Sequence, residues 1–262
     1  MTRETVTPQM AEQWLGRNRR NRNVRPAAVT RYARDMAAGD WLYTGEAIKF
    51  DTNGNLIDGQ HRLHAVVEAD CPVEMEIVRD LDIATQDIMD TGMKRTHGDM
   101  LALHGYKATS VLAAAARIGM RVENGSIYGN KFSPTAAEIR AWVEGNPEIT
   151  DSVEIGTKYG TRADSRPAVA SYTHYTLSRL DKHDADRFWI ALGTKVGLEE
   201  GDPRLVLAQR FADLRRNNVR VADADALSLV YRAWNHWRDG NKMSFLRNQT
   251  DGGGRVAIPR PH

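Results

Sequence analysis

Cysteine is almost missing from this sequence: one residue, Cys71, in 262. That excludes a disulfide framework and a cysteine-rich zinc site. It is compatible with a reducing, intracellular setting, with Cys71 an ordinary core or surface residue. Long apolar runs are missing too. None approaches the length of a membrane-spanning helix, so no membrane partner is expected. Met1 to Met10 holds no apolar stretch of the kind that a secretory leader needs, and the expected compartment is the cytoplasm. Histidines are few and badly spaced for a metal. His61 and His64 stand three apart, His97 and His104 follow much later, and no H-E-x-x-H pattern occurs, so no metal-ligand set is assigned. Internal repeats and low-complexity tracts are absent.

Hydrophobic residues make up 41% and charged residues 27%, as in ordinary globular proteins. The net charge is only +2 but uneven. Residues 1–106 carry 13 Lys and Arg against 16 Asp and Glu, whereas residues 107–262 carry 23 against 18. The C-terminal part is therefore the better candidate for a polyanion-facing surface. A solvated basic face gives the same count.

The hydrophobic pattern predicts an α+β protein. Residues 1–106 mix helix and strand signals and form the first expected domain. Residues 107–248 read almost wholly as helix and form the second. Residues 249–262, with three consecutive glycines and two prolines, show no periodicity and are expected to be a flexible tail. Thr7-Pro8 opens a helix, and Pro26 to Gly39 brackets another. Ala47 to Phe50 reads as a strand, Asp51 to Asn55 as an Asn-Gly turn, and Leu56-Ile57 as a short return strand. Val73, Met75 and Ile77 alternate with Glu74 and Glu76, the pattern of a half-buried strand. A helix is expected at about 83–89 and another at 98–103. Further helices are expected near 108–120, 134–144, 166–180, 183–193, 203–216 and 223–238.

The most informative segment runs from Leu56 to Ala65. A short strand ends at Asp58-Gly59 and a helix follows at once. The first-turn amides of such a helix carry partial positive charge, which favours an anion. Gly59 lets the backbone approach a ligand closely. Arg62 brings a planar guanidinium, and His61 a donor that titrates near neutrality. Together these describe a polyphosphate-binding helix N-terminus. The alternative stays open that Asp58 merely caps an ordinary helix and Arg62 is an ion-pair partner.

The order helix, Gly39, Glu46-Ala47-Ile48-Lys49-Phe50, turn, Leu56-Ile57-Asp58-Gly59-Gln60-His61-Arg62-Leu63-His64-Ala65 resembles the N-terminal domain of the ParB/sulfiredoxin superfamily. There a "G-E-R-R" type helix follows the second strand. The Asp-Gly-Gln-His-Arg string also resembles the DGQHR-motif variant seen in ParB-like proteins of actinobacterial phages and prophages. The likeness covers roughly residues 5–105. It implies a small mixed sheet with helices and an all-α domain behind it. It further implies a nucleoside triphosphate, CTP or ATP with Mg²⁺ in attendance, over Gly59, Gln60, His61 and Arg62. Lys94 and Arg95 would add cationic groups from a later loop. Gln60 and His61 replace the family's Glu and first Arg, and Gln60 stands where sulfiredoxin needs a cysteine, which excludes sulfinic-acid repair.

The leading expectation is thus a ParB-like nucleotide-binding, DNA-associated protein, in the host cytoplasm if phage-encoded. A homodimer would suit that class. DNA contacts are expected from Arg17, Arg19, Arg20 and Arg22, with asparagines interleaved, and from Arg215 and Arg216 on a late helix. The alternative is an ATP-dependent phosphotransferase whose catalytic residues are Glu46, Asp58 and His61, with His61 and Arg62 on the phosphates and Glu46 or Asp58 as base or metal ligand. A ParB-like nuclease and a non-catalytic interaction module rank below these.

Overall fold

The Asn-Gly turn does fold the chain back on itself. In the computed structural model, which describes residues 1–19, 21, 23–88, 96–129 and 132–262, β2 (Ala47–Asp51) and β3 (Leu56–Asp58) form an antiparallel hairpin around it. The Asp51 carboxylate accepts hydrogen bonds from the Asn53 and Asn55 amides, each at 2.8 Å, and from Asn55 Nδ2 at 3.0 Å. These bonds, the one from the Asn55 side chain foremost, hold the Asp51 carboxyl below its ordinary range.

Contacts divide the molecule into two units, Met1–Lys94 with Ser133–Ala137 and Arg95–Phe132 with Glu138–His262. In the first, a four-stranded mixed sheet runs in the order β1-β4-β2-β3. Strand β1 (Thr2–Val6) lies antiparallel to β4 (Val73–Leu81), and β2 lies parallel to β4. The parallel pair requires a crossover, which α3 (Gln60–Ala69) provides. Helices α1 (Pro8–Leu15) and α2 (Pro26–Ala37) pack against α3. Thr7 caps α1 by accepting from the Met10 amide at 3.2 Å. The core between helices and sheet holds Val6, Trp14, Met36, Ile48, Phe50, Leu63, Val66, Met75 and Ile77. Trp14 meets Phe50 edge to face at 5.3 Å.

The second unit is helical. It contains α4 (His97–Leu103), α5 (Thr109–Glu123), α6 (Ala136–Gly145) for its greater part, and α7 (Ile149–Ile155). A π-helical turn, Gly156–Gly160, continues α7. Then come α8 (Pro167–Ser178), α9 (Lys182–Thr194), α10 (Pro203–Arg216) and α11 (Asp223–Arg238). Every residue of α8 from Val169 to Tyr175 is buried, as expected of a central helix. Phe188, Trp234 and Trp237 form a ring cluster with centroids 5.4–5.7 Å apart. Tyr231 and Trp234 belong to the same core, so the last helix's aromatic stripe is packing.

The structure departs from the sequence reading in several places. Strand β1 was not expected; four of its five residues are polar, and only Val6 is fully buried. Helix α7 and the π turn fill a stretch for which no element was expected. The segment Ile83–Ile88 is a 3₁₀ turn instead of an α-helix. Helix α4, read as the end of the mixed region, belongs to the helical unit, with Leu101 buried in its core. The tail expected to be flexible is tied along α11. Ser228 donates to the Ala257 carbonyl at 2.8 Å, Trp234 Nε1 to the His262 carbonyl at 2.8 Å, and Asn235 to the Arg260 carbonyl at 2.9 Å. Hydrogen bonds of this kind do not depend on periodicity, which is why pattern reading misses them. Among the described residues no helix is long and apolar enough to cross a membrane.

Candidate phosphate-binding turn

Gly59 joins β3 to α3 with φ 102° and ψ 3°. That left-handed conformation suits glycine. A side chain there would also collide with β2, because a Cβ would lie 3.2 Å from Ile48 Cα. Glycine is therefore required twice, by the backbone angle and by the close strand. Its carbonyl accepts from the amides of Arg62 at 2.9 Å and Leu63 at 3.1 Å, starting the helix without any side-chain cap.

Asp58 does not cap α3. It lies between two cations, 3.3 Å from Lys49 Nζ and 3.5 Å from an Arg62 guanidinium nitrogen. Arg62 also donates to the Ala47 carbonyl at 2.9 Å, and its other terminal nitrogen lies 3.8 Å from Glu46. The Arg62 side chain is only 13% exposed, whereas Glu46 is 73% exposed. The turn thus carries a compact set of two cations and two carboxylates. Lys49 was not foreseen as a member. Its signal was available: it alternates with Ile48 and Phe50 and pairs directly with Asp58 in the hairpin register.

Gln60 and His61 face the loop that links α1 to α2. The buried Gln60 accepts from Asn18 Nδ2 at 2.9 Å. His61 Nε2 accepts from the Arg25 amide at 3.0 Å. Asn21 donates to the Leu56 carbonyl at 2.7 Å, and the Leu56 amide donates to the Arg17 carbonyl. The Asn-rich loop is thereby stitched to β3 and the first turn of α3. Arg17 and Arg19 are exposed on it. Arg17 borders a hollow of about 100 Å³, along with Trp14, Phe50 and Arg79. Arg20, Arg22, Lys94 and Arg95 lie outside the described residues. Arg215 and Arg216 belong to the helical unit, where they pair with Asp164 at 2.5 Å and Asp213 at 3.3 Å.

Two further clusters sit in the helical unit. Asp181, His183 and Asp184 come close enough to share an ion. The Arg238 guanidinium already bridges Asp181 and Asp184, which supplies the positive charge a metal would bring. The second cluster has the order serine, histidine, carboxylate. His174 lies 2.9 Å from Ser152 Oγ and 2.9 Å from Asp186. Burial pushes the imidazole below its ordinary pKa, against the pull of Asp186. Ser152 is 2% exposed, so no substrate reaches its hydroxyl, and the cluster is a packing network of α7, α8 and α9.

No family model matches this sequence, and neither does a curated protein or a solved structure.

Proposed function

We propose that this chain is a nucleotide-binding, DNA-associated protein of the ParB/sulfiredoxin-like class, with triphosphate held at Asp58-Gly59-Gln60-His61-Arg62. The observation that carries the reading is the left-handed Gly59 at the start of α3, flanked by Lys49 and Arg62, which share Asp58. A phosphate group arriving there competes with Asp58 for two cations that are already in place, and it meets the positive end of α3. Asp58 and Glu46 are the carboxylates that would hold the accompanying Mg²⁺. The loop carrying Arg17 and Arg19 borders the turn through Gln60 and His61, so DNA phosphates would meet the first unit there.

A second reading is favoured by Glu46. Exposed and next to Arg62, it is a carboxylate with room to receive an acceptor hydroxyl, as a phosphotransferase requires. Calorimetry with ATP, CTP, GTP and UTP in the presence of Mg²⁺ tests both. Wild type is expected to bind at least one nucleotide, and Arg62→Ala or Lys49→Ala to abolish that binding. A folded wild type that binds none of the four overturns both readings. Turnover of a small acceptor without DNA favours the transferase; affinity for DNA that depends on nucleotide favours the binding protein.

A further inference from the structure

The helical unit carries a basic groove that the phosphate turn does not involve. One face of α10 and Lys195, the residue that follows α9, line a groove of about 280 Å³. Leu205, Ala208 and Ala212 of α10 give its lining an apolar part, beside Gln209, Asp213, Arg216 and Lys195, and Arg216 lies 3.3 Å from Asp213. Lys195 ends α9 in a left-handed conformation, with its side chain exposed. Beside α9 lies the π turn. A Cβ on Gly193 would come within 2.9 Å of Tyr159 Cα, so glycine is what lets the helix and the turn touch. Lys158 Nζ lies 5.1 Å from the centre of the Tyr159 ring and Arg162 Cζ lies 6.0 Å from it. Both cations are exposed. The ion pair from Arg215 to Asp164 ties the far end of α10 to this same segment. The edge therefore combines five cations, two carboxylates (Asp164 and Asp213), one aromatic ring and a partly apolar groove.

We propose that this edge of the helical unit binds an unpaired stretch of DNA. The charge excess calls for a polyanion. The apolar part of the lining narrows the choice. A duplex presents phosphates outward and keeps its base faces stacked inside, so Leu205, Ala208 and Ala212 gain nothing from it. A single strand offers both parts at once: phosphates for Lys195, Arg216, Lys158 and Arg162, and base faces for the groove and for Tyr159. A π turn, uncommon within helices and frequent at functional sites, carries Tyr159 within reach of both cations. The inference rests on the DNA half of the reading above and on nothing at α3.

Fluorescence anisotropy on the full chain, without nucleoside triphosphate, tests it. The probes are oligo(dT) of about 20 nucleotides and a duplex of equal length, at about 50 mM salt. Oligo(dT) is expected to bind more tightly than the duplex and to weaken as salt rises. The pair Lys195→Glu with Arg216→Glu is expected to weaken it at least about tenfold, the scale set by losing two phosphate contacts and adding two repulsions. Tyr159→Ala is expected to weaken it without changing the salt slope. Arg117→Glu, a single charge reversal at an exposed position on α5, is expected to leave affinity within about twofold, while Lys195→Glu alone weakens it more. Absence of oligo(dT) binding, equal or tighter duplex binding, or binding indifferent to the double substitution overturns the proposal. Each outcome is independent of the calorimetry on Arg62→Ala, so the two readings fail separately.

Discussion

Replacing Gly59 by alanine measures how much of the candidate site is built by close approach. Two costs add. A non-glycine residue at φ 102° pays about 1–2 kcal/mol for a left-handed backbone. The new methyl must also push Ile48, a fully buried residue of β2 whose side chain and backbone would both have to shift, and overpacking of this kind costs about 1–3 kcal/mol. The expected loss is about 2–5 kcal/mol. Gly54→Ala is the matched control. It too sits at positive φ, 74°, but its methyl would meet only the mobile end of Arg17 at 3.4 Å. Its cost is the backbone part alone, about 1–2 kcal/mol. Hydrogen exchange followed by mass spectrometry resolves the effect by segment, which matters because opening free energies differ from one part of a protein to another. Peptides covering β2 and α3 are expected to exchange much faster in Gly59→Ala than in Gly54→Ala, and peptides from α8 to change in neither. Equal exchange in the two variants would refute the steric argument and leave Gly59 as an ordinary turn glycine.

Other outcomes follow from the packing. The folded state holds His174 below its ordinary pKa, so the unfolded chain binds the extra proton first; stability is full above about pH 6.5 and declines as pH falls through that value. Thermal melts of His174→Gln are expected to lose this slope between pH 7 and 5, against about 1–3 kcal/mol lost at neutral pH from the disturbed Ser152 and Asp186 partners. Trp234→Ala, at the centre of the ring cluster, is expected to cost about 3–5 kcal/mol in urea unfolding. Asn18→Ala removes the bond to Gln60 and is expected to speed tryptic cleavage after Arg17 and Arg19, with unchanged cleavage in the helical unit.

Much of the fold was legible because it is written in local signals. Thr7-Pro8, Asn53-Gly54 and Asp202-Pro203 each mark an element boundary that the structure keeps. The alternation through Val73, Met75 and Ile77 marked β4, and the Asp58-Gly59 break marked the start of α3. What escaped depends on partners distant in sequence. Strand β1 owes its existence to β4, some seventy residues on, and its own composition is nearly all polar. Lys49 joins the site through a hairpin register, and Gln60 faces Asn18 because a loop folds over it. The π turn depends on Gly156 and Gly160 meeting α8, where a Cβ on Gly156 would come within 2.8 Å of Ser171 Cα. Single-chain periodicity carries none of this.

The placement of β1 also bears on how the first unit is made. Strand β1 is synthesised before its partner β4, so the sheet cannot close on β1 while the chain between them is still being made. From the time β4 is made until β1 docks, one long edge of β4 is bare, a template for another molecule's strand. Once closed, β1 protects that edge with charged residues, Arg3 paired to Glu74 and Arg79 to Glu4. An N-terminal fusion that hinders β1 would therefore act on yield and self-association, and a C-terminal one would leave the sheet's last closing step untouched.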